Sequence, residues 1–75
     1  MTAQVIDATF TPCHGFGGGW IVPKSPPALR ALVEYYGEEP GELAPIGETG
    51  FIVEPADVSD VAGYLCRRNL VTEIN

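Results

Sequence analysis

The spacing of hydrophobic and polar residues changes repeatedly along the chain, and each change marks an element. Residues 4–11 alternate, with Ile6, Ala8 and Phe10 on one side and Val5, Asp7, Thr9 and Thr11 on the other, the period-two pattern of a half-buried strand. Pro12 should end it. Trp20, Ile21 and Val22 form a second short strand, closed by Pro23. The intervening CHGFGGGW has four glycines in eight residues, so the two strands should form a hairpin with a long glycine-rich tip. The period then lengthens. Leu29, Leu32, Val33 and Tyr36 fall at i, i+3, i+4 and i+7 of a helix over residues 26–36. Ser25 caps this helix, Pro26 opens it and Gly37 closes it. Arg30 and Glu34 are spaced to pair along its outer face.

Residues 50–70, GFIVEPADVSDVAGYLCRRNL, carry the clearest local pattern. Phe51, Ile52 and Val53 are a β-branched and aromatic run between Gly50 and Pro55, which suits a strand covered on both faces. Val58, Val61, Ala62 and Leu65 then share one helical face, with Asp57, Asp60, Arg67 and Arg68 opposite. Asp57 is placed to cap the helix, with Asp60 at the capping-box position, and Asn69 can close it in the left-handed conformation. Gly63 is discordant, because glycine inside a helix costs about 1 kcal/mol relative to alanine. Close approach of a neighbouring element would explain it. Residues 71–75 either add a short edge strand or fray. Residues 38–49, EEPGELAPIGET, hold two prolines, two glycines and four glutamates with no lasting period, and read as a loop pinned by Leu43 and Ile46.

The element order predicts one small α+β domain over residues 1–75, β-β-α-β-α, with a three-stranded sheet and two helices on one face. Strand 20–22, helix 26–36 and strand 51–53 would form a right-handed crossover if the strands are parallel. A single core in a chain this short seldom supplies more than about 3 to 5 kcal/mol of net stability. Partner binding, or pairing into a homodimer, would add to it.

Charge narrows the partners. Ten acidic residues against four basic ones give a net charge of −6 and a pI near 4.4, which repels nucleic acid phosphates and anionic membranes and favours a larger protein with a basic surface. There is no run of about 20 apolar residues to span a bilayer and no basic leader segment, so the expectation is a soluble, cytoplasmic, unprocessed chain. Cys13 and Cys66 are far apart and without the density of a secreted disulfide scaffold, which favours reduced thiols.

Candidate chemistry is sparse. The glycine-rich tip and the following Lys24 and Ser25 nearly fit a phosphate-binding loop, but Pro23 stands where that pattern needs a glycine amide, and Trp20 blocks the dinucleotide pattern. Cys13, His14 and Cys66 are three ligand types with no paired spacing, short of a structural zinc set. No cofactor, metal or catalytic residue is therefore expected. Glu34, Glu38, Glu39, Glu42 and Glu48, joined by Glu54, supply most of the acidity, and Phe16, Trp20, Tyr35 and Tyr36 are the aromatic candidates for an exposed patch that anchors a partner, Phe16 and Tyr35 foremost. Together they point to a non-enzymatic interaction domain that docks on an arginine- and lysine-rich groove, including one meant for nucleic acid. Such a domain would act as an inhibitor; small acidic phage inhibitors, among them anti-CRISPR proteins, are similar in size and charge. The alternative is a small-molecule- or metal-binding accessory protein using the loop over residues 13–20.

The stretch IGETGFIVEPADVSDVAGYL, residues 46–65, resembles the G-E-T-G-(F/L)-(L/V)-V-x-P-x-D-(V/P) segment near the nucleotide-sugar site of GT-B glycosyltransferases. It covers about a quarter of the chain. In that family a preceding glutamate and a second Rossmann domain complete the site, and 75 residues have no room for two such domains. The resemblance therefore implies a shared strand, turn and capped-helix grammar and carries no activity with it.

Overall fold

Backbone pairing turns the alternating N-terminal segment into a hairpin. The computed structural model describes residues 5–15, 17–43 and 47–74. β1 (Ala8–Pro12) runs antiparallel to β2 (Gly19–Pro23), with Phe10 opposite Ile21 and Thr11 opposite Trp20. Gly19 is required by this pairing: a Cβ there would collide with the Thr11 carbonyl oxygen and lie 2.9 Å from Cα of Pro12. The Cys13 amide donates to the Gly18 carbonyl at 2.9 Å and closes the tip.

α1 (Pro26–Tyr36) begins and ends as its sequence predicts. Ser25 is extended and its hydroxyl oxygen accepts from the Ala28 amide at 3.4 Å, while Gly37 adopts φ 73° and donates to the Val33 carbonyl at 2.8 Å. The buried stripe is rotated, however. Ala28, Ala31 and Leu32 are buried, whereas Leu29 is 38% exposed. The two alanines let the helix backbone lie close to its neighbours, which leaves the larger Leu29 outside.

The segment expected to be a loop contributes a strand. β3 (Gly41–Leu43) pairs antiparallel with β4 (Glu48–Val53), Gly41 opposite Gly50 and Leu43 opposite Glu48. A single 3₁₀ turn over Pro55–Asp57 leads into α2 (Val58–Arg67), and the Asp57 side chain makes no capping bond. Its backbone is already helical at φ −100°, ψ −6°, rather than in the extended form a capping residue adopts. Asn69 does close the helix at φ 61°, and the Leu70 amide returns to the Leu65 carbonyl at 3.0 Å. The strand, turn and helix grammar of residues 50–70 is thus present without the expected capping box. β5 (Thr72–Ile74) then runs parallel to β1, Phe10 opposite Ile74.

Among the described residues the sheet has five strands, in the order β3-β4-β2-β1-β5, rather than three. β2 and β4 are antiparallel, so no parallel crossover joins them. The crossovers instead link β2 through α1 to β3, passing over β4, and β4 through α2 to β5, passing over β2 and β1. The two units travel in opposite directions across the sheet on oppositely directed strands. Right-handed crossovers, the strong rule for such units, therefore place both helices on the same face. Leu32 of α1 and Val61 and Leu65 of α2 share one buried cluster with Ile21, Phe51 and Val53. The Tyr64 hydroxyl ties the helices together by donating to the Ala31 carbonyl at 2.9 Å.

The other face has no helix. Val22 and Leu43 are buried there on either side of Gly50, where a Cβ would come within 3.0 Å of both, while Ile52 is 57% exposed.

Asp7 fastens the end of the sheet. One carboxylate oxygen accepts from the Ser25 hydroxyl at 2.7 Å and the other from the Val71 amide at 2.9 Å. Its backbone amide donates to the Val71 carbonyl at 2.9 Å, and its carbonyl accepts from Lys24 and Ser25 amides at 2.6 and 3.2 Å. The entry to β1, the cap of α1 and the entry to β5 thus meet at one residue.

Candidate functional site: an acid-rimmed pocket beside strand β3

The left-handed turn at Gly37 takes the chain sharply off α1, so Glu38 and Glu39 follow directly on the helix's last aromatic residue. β3 then brings Glu42 back alongside. These three glutamates, with Tyr36, Leu43 and Phe51, line a surface pocket of about 260 Å³. Its floor is aromatic: the Tyr36 and Phe51 rings stack with centroids 4.7 Å apart and planes 10° from parallel. The lining includes no lysine, arginine or histidine.

The Tyr36 hydroxyl is buried and has no hydrogen-bond partner among the described residues. Burial, with smaller contributions from Tyr35 and Asp57, pushes its pKa up to about 12. It therefore stays neutral beside the three carboxylates and adds no charge to the site. An apolar, aromatic floor under a carboxylate rim matches a long cationic side chain, whose alkyl stem can lie on the rings while its head reaches the acids. Among the described residues no group of three or more histidines, cysteines, aspartates or glutamates is placed to hold a metal ion.

The other acidic candidates are not in the lining of this pocket. Glu48 pairs with Lys24. Glu34 reaches Arg68 of α2 at 3.7 Å rather than Arg30, and Arg68 in turn sits 4.5 Å over the Tyr64 ring. Tyr35 belongs to the seam between the helices, its ring 5.1 Å from Tyr36 and 4.8 Å from Tyr64. Burial first, then Asp57, Asp60 and Tyr64, raise its pKa. Phe16 lies outside the described residues. In the glycine tip His14 is exposed and Cys13 half-buried, and both cysteines are free thiols.

The acidic run was readable as a run, but its floor was not. Tyr36 read both as a stripe residue of a helix and as an aromatic candidate, and Phe51 as a core residue of a strand; only the position of Gly37, between Tyr36 and Glu38, signals that an aromatic ring and a pair of acids lie together. No helix among the described residues is long and apolar enough to cross a membrane. Compared with protein-family models, with curated proteins and with solved structures, the chain matches none.

Proposed function

We propose that this chain is a non-enzymatic protein-interaction domain that seats a lysine or arginine side chain of a larger partner in the acid-rimmed pocket, and that it inhibits by covering a basic, nucleic-acid-binding surface. The observation that carries this reading is an imbalance of charge. Glu34 and Glu48 have internal cations, whereas Glu38, Glu39 and Glu42 surround an apolar floor with no cation in the lining. A net charge of −6 draws such a partner in from a distance.

Exposed ion pairs are each worth about 0.2 to 1 kcal/mol, so three contacts of about 0.5 kcal/mol amount to roughly tenfold in Kd. The test is titration calorimetry with an oligo-arginine peptide. Binding should appear at low salt and fade at high salt as the charges are screened. The triple variant Glu38→Lys, Glu39→Lys, Glu42→Lys should weaken it by about tenfold or more, while the Glu34→Gln, Glu48→Gln pair should leave most of it. A triple variant that binds as tightly as the native chain would refute the assignment.

A further inference from the structure

One backbone position in the lining of the acid-rimmed pocket is open. The amides of Lys24 and Cys13 donate to the carbonyls of Asp7 and Gly18, just beyond the two ends of the β1–β2 ladder. Mutual hydrogen bonds recur at every second pair of an antiparallel ladder. Thr9–Val22 and Thr11–Trp20 therefore carry those between β1 and β2, and Ile21 turns its N–H and C=O toward β4. There Ile21 meets Phe51, and Gly19 meets Val53. Ile52, between them, turns its N–H and C=O away from β2, toward the line of β3. Continued in register, that line would place Glu39 opposite Ile52, but β3 starts at Gly41, opposite Gly50. Among the described residues no backbone hydrogen bond reaches Ile52 from residues 38–40.

The pocket straddles this gap in the edge. Tyr36 and Phe51 line it from the face that carries the helices, Gly50 and Ile52 from the other, and Glu38, Glu39 and Glu42 supply its carboxylates. A gap of this kind takes an extended segment, whose backbone provides the missing partner, and the three carboxylates select a basic one. Alternation along a strand then fixes where each side chain goes. The residue that exchanges hydrogen bonds with Ile52 shares the face of that side chain, which is 57% exposed, and an apolar residue there covers it. The residues before and after it point to the face of Phe51, toward the stacked rings. Glu42 faces the same way, because Gly41 and Leu43 face the other.

We propose that the partner enters as an extended segment with basic residues on either side of an apolar one, and that this segment pairs through its backbone with Ile52 as an added strand beside β4. Such pairing rests on the pocket being a seat for a lysine or arginine, and fixes the partner's conformation and residue order.

Three peptides of sequence Arg-Val-Arg-Val-Arg, acetylated and amidated at their ends, separate backbone from charge: one unmodified, one N-methylated at both valines, and one N-methylated at the central and last arginines. In nuclear magnetic resonance titrations at low salt, the N-methylvaline peptide should bind about tenfold more weakly than the unmodified one, because it has lost the donor to the Ile52 carbonyl. The N-methylarginine peptide, whose altered amides point away from β4, should bind as the unmodified one does. Saturating unmodified peptide should slow hydrogen exchange of the Ile52 amide and leave Phe51 and Val53, already bonded to β2, unchanged. Equal affinity of all three peptides, equal weakening by both modifications, or unchanged exchange at Ile52 would overturn the added strand. If the triple variant Glu38→Lys, Glu39→Lys, Glu42→Lys still abolishes binding in those cases, the cationic seat stands without it. An unmodified peptide that does not bind, or that the triple variant binds as tightly as the native chain, would overturn the seat and the strand together.

Discussion

Asp7 shows how much one short side chain can organise when both its carboxylate oxygens find donors. The Val71 amide and then the Ser25 hydroxyl hold its carboxyl below the ordinary value of 3.8, against the smaller opposing effect of burial. A carboxyl whose pKa is lower in the folded than in the unfolded chain stabilises the fold in full above the unfolded value, and the contribution is lost as pH falls through the folded one. Asp7→Asn keeps an acceptor for one donor and presents an amide to the other. Its thermal midpoint should fall at pH 7, and the gap to the native chain should close in strong acid; equal midpoints at pH 7 would contradict the geometry. Tyr36 sets the alkaline limit. Its pKa of about 12 in the fold lies above the ordinary 10.0, so the unfolded chain loses this proton first and stability should drop as pH rises from about 10 toward 12. Ultraviolet titration of tyrosinate should show a late phase near pH 12 that moves down on unfolding in urea. In the sequence Asp7 was only the polar half of an alternating strand, because its partners lie 18 and 64 residues away.

At the scale of elements, what can be read is what is local. Ser25, Pro26, Gly37 and Asn69 act within a turn of where they stand, and each does what its chemistry predicts. The phase of the α1 stripe is not local: Leu29 and Ala28 compete for the core, and the closeness of the sheet chooses the smaller residue. β3 was hidden for a related reason. Gly-Glu-Leu has little strand propensity of its own, and it becomes a strand by pairing antiparallel with β4. Gly63 reverses its expectation. A Cβ there would meet only the flexible end of Arg67, at 3.3 Å, and no neighbouring element approaches. Gly63→Ala should therefore stabilise the protein by about 0.5 to 1 kcal/mol, read as a higher urea midpoint with an unchanged slope; a destabilised variant would mean that α2 is more crowded than its geometry indicates.

At the scale of the molecule, both crossovers pass over intervening strands, and no local pattern could disclose that. The same topology separates an acid-rimmed pocket at β3 from a groove lined by uncharged residues beside α2 and β5, so charge that looked like a global property of the sequence is distributed by the order of the strands. The pairing of β1 with β5 also has a consequence in time. At about 5 to 20 residues per second, synthesis of the 64 residues from Asp7 to Val71 lasts roughly 3 to 13 seconds. Throughout that interval β1 has no β5 to pair with, and the Asp7 carboxylate has no Val71 amide to receive. The native sheet is thus completed by the last-made strand, and a nascent chain halted before Val71 has an aggregation-prone edge that the finished protein covers.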